Sequence, residues 1–247
     1  MWTIQGKQAS LKTDNVSGTL NLGDPETGLQ QLHWSNQTLP AIGLLGVALP
    51  QQLIVASESK HHYTRDNCLV ASYGDPATTN CHAQLQWRYL PPQPATWLAG
   101  LELVISFEAR LLTRLPDWQT MSKISAPVIL APVDSEAQTW QPLPDTARTA
   151  SSLEEDQYQM LLCRFPKQGV TYLEMVHGQQ AWLSPVDETG DNLSRPMGWR
   201  LKTPAAQLEK GVILRKVLRG LFLPLEKDEL LAREAYQQFA CVAPPLN

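Results

Sequence analysis

Two segments of this sequence alternate between apolar and polar residues, and this pattern constrains the fold more than any other feature. In the first, Cys81–Leu90, odd positions through residue 89 are apolar or aromatic and even positions through Arg88 are polar. The second, Leu101–Leu112, repeats the pattern. Successive side chains of a strand point to opposite faces, so both segments are predicted to be half-buried β-strands. Trp87 is predicted to lie in the core.

The rest of the chain predicts further short strands and one helix. A hairpin is predicted from the strands Tyr158–Phe165 and Val170–His177. Asp228–Phe239 is predicted to be a helix that Asp228 caps. The other predicted strands are Thr3–Gln5, Thr19–Leu22, Gly43–Leu49, Leu53–Ala56, Leu69–Tyr73, Val128–Leu130, Gly198–Lys202 and Val212–Arg219. Together these elements predict an all-β fold, a large antiparallel two-sheet sandwich with one short C-terminal helix.

One segment, Ala131–Asp156, resembles a linker because it contains three prolines and a polar run. It could separate two domains or form a long surface loop within one. The strands before and after it have the same character, and neither half has a pattern of its own. We therefore predict a single β-sandwich domain over residues 1–247.

Composition and motifs disfavour several classes of function. The net charge is −4 with no basic stripe, so nucleic acid is not an expected partner. No apolar run reaches the roughly 18 residues of a membrane span, and the N-terminus lacks the pattern of a signal peptide. There is no HxH, HxxxH, GxSxG or Gly-rich phosphate motif, so no metal or cofactor is predicted.

The four cysteines are scattered along the chain and lack CxxC spacing. They are Cys68, Cys81, Cys163 and Cys241. In a chain of this size such cysteines are most simply free thiols in a reducing compartment, which predicts a cytoplasmic protein. Export, with disulfides, is the alternative.

Three stretches of the sequence resemble the galactose mutarotase-like supersandwich superfamily, in an uncharacterised bacterial branch. They are residues 61–73, residues 101–107, and residues 208–215 running into 219–224. That superfamily includes aldose 1-epimerases and non-catalytic sugar-binding domains. The resemblance therefore implies a mono- or oligosaccharide ligand and leaves catalysis open. In the epimerases a glutamate is the general base and a histidine the general acid.

Glu174 and His177 are the candidate catalytic pair, because this glutamate and this histidine are only three residues apart in the chain. A carboxylate and an imidazole suit proton transfer near neutral pH. However, residues three apart on a regular strand face opposite sides, so the two would converge only at a bulge or at the strand end. The alternative is an exposed Glu174 and a histidine in a turn.

Two groups of polar residues are candidates for sugar binding. His62, Tyr63, Arg65 and Asp66 combine an aromatic ring with groups capable of bidentate hydrogen bonding. A solvated connection would explain this cluster equally well.

The second group consists of His82 and Arg88, which lie on the polar face of the first alternating strand together with Gln84 and Gln86. Their side chains would form a ladder suited to a polyol ligand. A plain solvent-facing strand is the alternative.

The leading hypothesis is a carbohydrate-binding domain of mutarotase-like fold. The first alternative is an aldose 1-epimerase or a sugar-phosphate epimerase, for which an acid–base pair should converge in one cleft. The second is a protein-interaction scaffold that uses a sheet face or the C-terminal helix, for which an apolar patch and no groove are expected.

Overall fold

The computed structural model describes residues 1–56, 61–75, 78–110, 113–114, 118–133, 139–143, 158–177, 182–186, 197–202 and 207–242. Within these ranges the chain forms two nine-stranded antiparallel sheets that pack face to face. The predicted two-sheet sandwich with a short C-terminal helix is thus confirmed.

Sheet I contains most of the N-terminal strands. Its order is β1 (Trp2–Gln5), β2 (Gln8–Lys12), β3 (Val16–Asn21), β4 (Leu29–Trp34), β6 (Ala41–Ala48), β12 (Gln119–Ile124), β18 (Met197–Lys202) and β17 (Trp182–Val186), with β5 (Gln37–Thr38) paired to β4.

Sheet II contains both alternating segments. Its order is β14 (Trp140–Pro142), β13 (Val128–Pro132), β15 (Met160–Phe165), β16 (Val170–Val176), β20 (Ile213–Pro224), β10 (Ala99–Ala109), β9 (Cys81–Leu90), β8 (Cys68–Tyr73) and β7 (His62–Arg65). A separate short pair joins β11 (Thr113–Arg114) to β19 (Gln207–Leu208). The helices are α1 (Gln51–Ala56) and α2 (Asp228–Cys241).

The main core lies between the two sheets, and a second apolar cluster lies under α2 on the outer face of sheet II. Successive side chains of a strand point to opposite sides of its sheet, which divides the apolar residues between the two clusters. The strands β9 and β10 face the main core. Their apolar positions enter the inter-sheet core, where Trp87 is 2% exposed and pairs across the strands with Leu69 and Leu103. The predicted face assignment of these strands is therefore confirmed.

One predicted strand is wrong, because Leu53–Ala56 belongs to the helix α1. Four apolar residues in a row have no periodicity that separates a buried strand from a buried helical turn. The helix follows Pro50, whose carbonyl accepts a 2.9 Å hydrogen bond from the Leu53 amide, and Leu53 packs in the core.

Two other elements differ in detail from their predictions. The strand expected to stop at Gly220 continues to Pro224. Gly220 lies inside it, and Tyr172 of the neighbouring strand occupies the space where a side chain at that position would lie. Asp228 is the first residue of α2 and not its cap. It connects the helix to β15 and β16 by accepting hydrogen bonds from Arg164 and Thr171.

Two predicted segments lie wholly or partly outside the described residues. They are Leu111 and Leu112, at the end of the second alternating segment, and most of Ala131–Asp156.

Candidate functional site

A row of charged side chains crosses the outer face of sheet II. The antiparallel register places Arg88 of β9, Glu102 of β10 and Arg219 of β20 side by side. Arg88 Nη1 donates to Glu102 Oε1 at 3.3 Å, and Arg219 Nε donates to Oε2 at 2.9 Å. Glu102 is 2% exposed. The two guanidinium groups therefore provide the pairing that a buried carboxylate requires.

The two arginines are held differently. Arg219 also lies over the ring of Phe239 in α2, with its Cζ 4.4 Å from the ring centroid. This cation–π contact with the helix holds the guanidinium on the side away from the sheet. The Arg88 side chain is 32% exposed and uses only Nη1 on Glu102. Among the described residues, its other guanidinium N–H groups meet no acceptor. Arg88 therefore offers oriented donors to solvent or to a ligand.

The other polar residues of β9 line the same face. His82 pairs in register with Glu108, and Gln84 pairs with Ser106. Burial lowers the pKa of the His82 imidazole from its ordinary value, against the opposing effect of the nearby Glu108 carboxylate. His82 is therefore biased toward the neutral form, which can both donate and accept a hydrogen bond. We call this outer surface of β9, β10 and β20 the polar face.

The β7–β8 hairpin places the remaining candidates at the rim of the polar face. Register aligns Tyr63 with Val70 and Gln86, and Arg65 with Cys68 and Arg88, so both point to this side.

Two other candidate residues of the β7–β8 hairpin, His62 and Asp66, do not point to the polar face. His62 aligns with Ala71 and Leu85, and therefore points to the opposite side of the sheet. Asp66 lies in the turn and approaches Arg65 at 3.9 Å, with both side chains more than 80% exposed. Such a solvent-exposed pair contributes little stability.

Glu174 lies in the sandwich interior, where it is 1% exposed. Its Oε2 accepts hydrogen bonds from Tyr172 at 2.8 Å and from Ser122 at 2.7 Å. Ser122 belongs to sheet I, so this carboxylate links the two sheets. Burial, followed by the nearby Glu174 carboxylate, raises the pKa of Tyr172 well above its ordinary value, so the phenol stays protonated and donates.

The same interior network includes a residue with an uncommon backbone conformation. Leu45 has φ of 54°, in the left-handed region that leucine rarely adopts. Its amide donates to Ser122 Oγ at 2.9 Å, and its carbonyl accepts from the Trp87 indole at 3.1 Å. Hydrogen bonds from both sheets thus hold this backbone in place.

The structure does not bring Glu174 and His177 together. Glu174 points between the sheets, whereas His177 lies on the outer side, where its Nε2 is 2.6 Å from the Val242 carbonyl and its ring contacts Phe239 edge-on. The strand therefore separates the two side chains as its pleat requires. Glu174 is also not the exposed residue that the alternative expected.

Solved structures share this architecture. A proposed aldose 1-epimerase from Escherichia coli K12 superposes with a TM-score of 0.55 at 9% sequence identity, covering 87% of this chain and 98% of its own. A proposed aldose 1-epimerase from Klebsiella pneumoniae gives 0.51 at 12% identity, over 96% of this chain and 86% of its own. A galactose mutarotase-like protein from Clostridium acetobutylicum gives 0.50 at 8% identity, over 91% and 98%. The chain has the galactose mutarotase-like fold.

At these identities the likeness concerns the fold alone. No family model matches the sequence, and no curated protein matches it. Within the mutarotase-like fold of this chain, no described group of three or more His, Cys, Asp or Glu residues is arranged to hold a metal ion. No helix in the described ranges is long and apolar enough to cross a membrane.

Sequence reasoning missed the partners that organise both polar sites of this mutarotase-like fold. They are Glu102 and Arg219 on the polar face, and Ser122 and Tyr172 in the interior. Glu102 could have been identified as a candidate from the sequence, since it occupies a polar position of a predicted strand. Its burial depends on which strands flank β10, and local alternation contains no information about strand order.

Proposed function

We propose that this chain binds a mono- or oligosaccharide on the polar face of sheet II and acts as a carbohydrate-binding protein. The observation that supports the proposal is Arg88, a guanidinium fixed by Glu102 that still presents free donors. A planar fork of donors suits adjacent sugar hydroxyls. Likeness to a proposed aldose 1-epimerase and to a galactose mutarotase-like protein adds support, since both names refer to sugars.

The neighbours of Arg88 supply the other elements of a sugar site. Gln86, Gln84 and His82 follow it along β9, each partly exposed. Tyr63 is 52% exposed and lies two strands from Gln86, about 10 Å at the usual strand spacing, where its ring can pack against a sugar. In this proposal Arg65 and Asp66 contact only the outer part of a larger ligand.

The first prediction tests this site through Arg88→Lys. We expect sugar affinity to fall by about 1–3 kcal/mol, because an ammonium cannot reproduce the fork of charged hydrogen bonds. Calorimetry with monosaccharides, sugar phosphates and oligosaccharides identifies the ligand and is then repeated with the variant. Arg65→Lys is the comparator, with an expected loss below about 0.5 kcal/mol, since its side chain is highly exposed.

The outcome of that screen also decides between classes of function. Equal losses for Arg88→Lys and Arg65→Lys would contradict a site centred on Arg88. If no sugar binds, the protein-interaction scaffold becomes the better proposal, with the exposed Leu230 and Val242 at the two ends of α2 as its apolar candidates.

An aldose 1-epimerase or sugar-phosphate epimerase is the second candidate, and Glu174 is the observation that favours it. A buried carboxylate beside a protonated phenol and a strained backbone has the character of a functional site. In this candidate Glu174 is the base, and Tyr172 takes the role that the resemblance gives to a histidine. Because Glu174 is almost fully buried, substrate would have to enter between the sheets. For this reason binding on the polar face is preferred.

The second prediction separates binding from catalysis. If the chain is an epimerase, Glu174→Gln should abolish anomer exchange, because an amide cannot accept the anomeric proton. His177→Ala should leave exchange unchanged, since His177 lies on the other side of the sheet. Exchange followed by NMR on each sugar that binds is the measurement. Binding without exchange in the wild type would exclude this candidate.

We also propose a cytoplasmic location, which the four free cysteines support. The third prediction is that denatured, unreduced protein reacts with about four equivalents of a thiol reagent, because reducing compartments keep thiols reduced. The sample must be purified without reductant from its native host. About two equivalents or fewer would indicate disulfides and contradict this location.

A further inference from the structure

A groove of about 490 Å³ lies beside the N-terminal end of α2, away from the polar face. Trp140 of β14 and Arg164 of β15 line its sheet side, and Lys227, Leu230 and Arg233 line its helix side. Its volume falls within the range of small-molecule sites.

The charges of the groove leave two cations unpaired. The Asp228 carboxylate is buried and accepts from Arg164 and Thr171, and the carboxylate of Glu229 accepts from Arg164 Nη2 at 2.7 Å. The side chains of Lys227 and Arg233 have no hydrogen bond or ion pair with another described residue. Arg233 is half-buried, so it loses part of its hydration without gaining a partner.

The aromatic wall of the groove has an unmet hydrogen-bonding group as well. The Trp140 indole Nε1 is buried and meets no hydrogen-bond partner within the described part of the chain, although buried donors are nearly always satisfied. Two cationic side chains without a partner beside a flat indole ring favour a ligand that combines anionic oxygens with a face that can stack.

We propose that this groove binds a small ligand in which an anionic group is attached to a ring. Lys227 and Arg233 pair with the anion, and the ring packs against Trp140. The groove is independent of the sugar site on the polar face, because it shares no residue with the Arg88–Glu102–Arg219 row.

The test uses inorganic phosphate, phenyl phosphate, glucose 6-phosphate and glucose as probes, titrated calorimetrically at constant ionic strength. We expect the two ring phosphates to bind at least about tenfold more tightly than inorganic phosphate, and glucose not to bind in the groove. Arg233→Gln and Lys227→Gln should each weaken the ring phosphates by about tenfold, which corresponds to about 1.4 kcal/mol. Lys210→Gln, an exposed cation elsewhere, is the matched control and should have no effect.

A second readout locates the ligand. The indole N–H resonance of Trp140, assigned from its loss in Trp140→Phe, should shift on addition of phenyl phosphate. An unmoved Trp140 resonance, equal affinity for inorganic phosphate and phenyl phosphate, or no binding of any phosphate at millimolar concentration would each overturn the proposal. If Arg88→Lys rather than Arg233→Gln weakens glucose 6-phosphate, the ligand lies on the polar face. That result would support the sugar site and overturn this one.

Discussion

Replacing Trp87 by alanine is expected to lower the free energy of unfolding by about 3–5 kcal/mol, the range for removing a large buried aromatic side chain. Trp87 is 2% exposed and packs between the sheets. Its indole also donates to the carbonyl of Leu45, whose left-handed backbone depends on its hydrogen bonds for support. The alanine variant therefore loses contact area and leaves a buried carbonyl without this donor.

Denaturant unfolding of Trp87→Ala and Trp87→Phe measures the two contributions. The phenylalanine variant keeps most of the apolar volume and should lose less, mainly the hydrogen bond. Trp97→Ala is the control, since Trp97 is partly exposed on the other side of the sheet and should cost less than Trp87→Ala. A loss below about 1 kcal/mol for Trp87→Ala would contradict its place in the inter-sheet core.

Glu102→Gln is expected to destabilise the protein by about 2–3 kcal/mol. Removing one partner from a buried ion pair usually costs more, but here the two arginines are 20% and 32% exposed and water screens part of the loss. The amide still fills the space, so the effect reports on charge and not on packing. Thermal or denaturant unfolding of the variant measures it directly.

The chain supplies a matched control on the same strand. Glu108 points to the same face of β10 as Glu102 but is exposed, so Glu108→Gln should change stability by less than about 0.5 kcal/mol. Similar losses for the two variants would show that the arginines do not hold Glu102 as described. If Glu102→Gln also weakens sugar binding, it does so by releasing Arg88.

Local pattern was sufficient to predict most of the strands and their faces. From Cys81 to Tyr89 the alternation persists for nine residues, and an α-helix would place those apolar residues all around its axis. The hairpin from Met160 to Val176 was predictable because a turn of Pro166–Gly169 interrupts two apolar segments. At Leu53–Ala56 the apolar run is too short for any period to show, and the interpretation as a strand was wrong.

The candidate sites depended on tertiary structure to a much greater degree. Arg88, His82, Tyr63 and Arg65 were recognised as polar, but only strand pairing places them on one face and His62 on the other.

Glu102 and its partner Arg219 are 117 positions apart in the sequence, and Glu174 and its partner Ser122 are 52 positions apart. Periodicity assigns a residue to one side of its own strand, because that depends only on the backbone of its neighbours. Which strand lies alongside, and whether a carboxylate there is buried among partners, depends on long-range packing that no local pattern records.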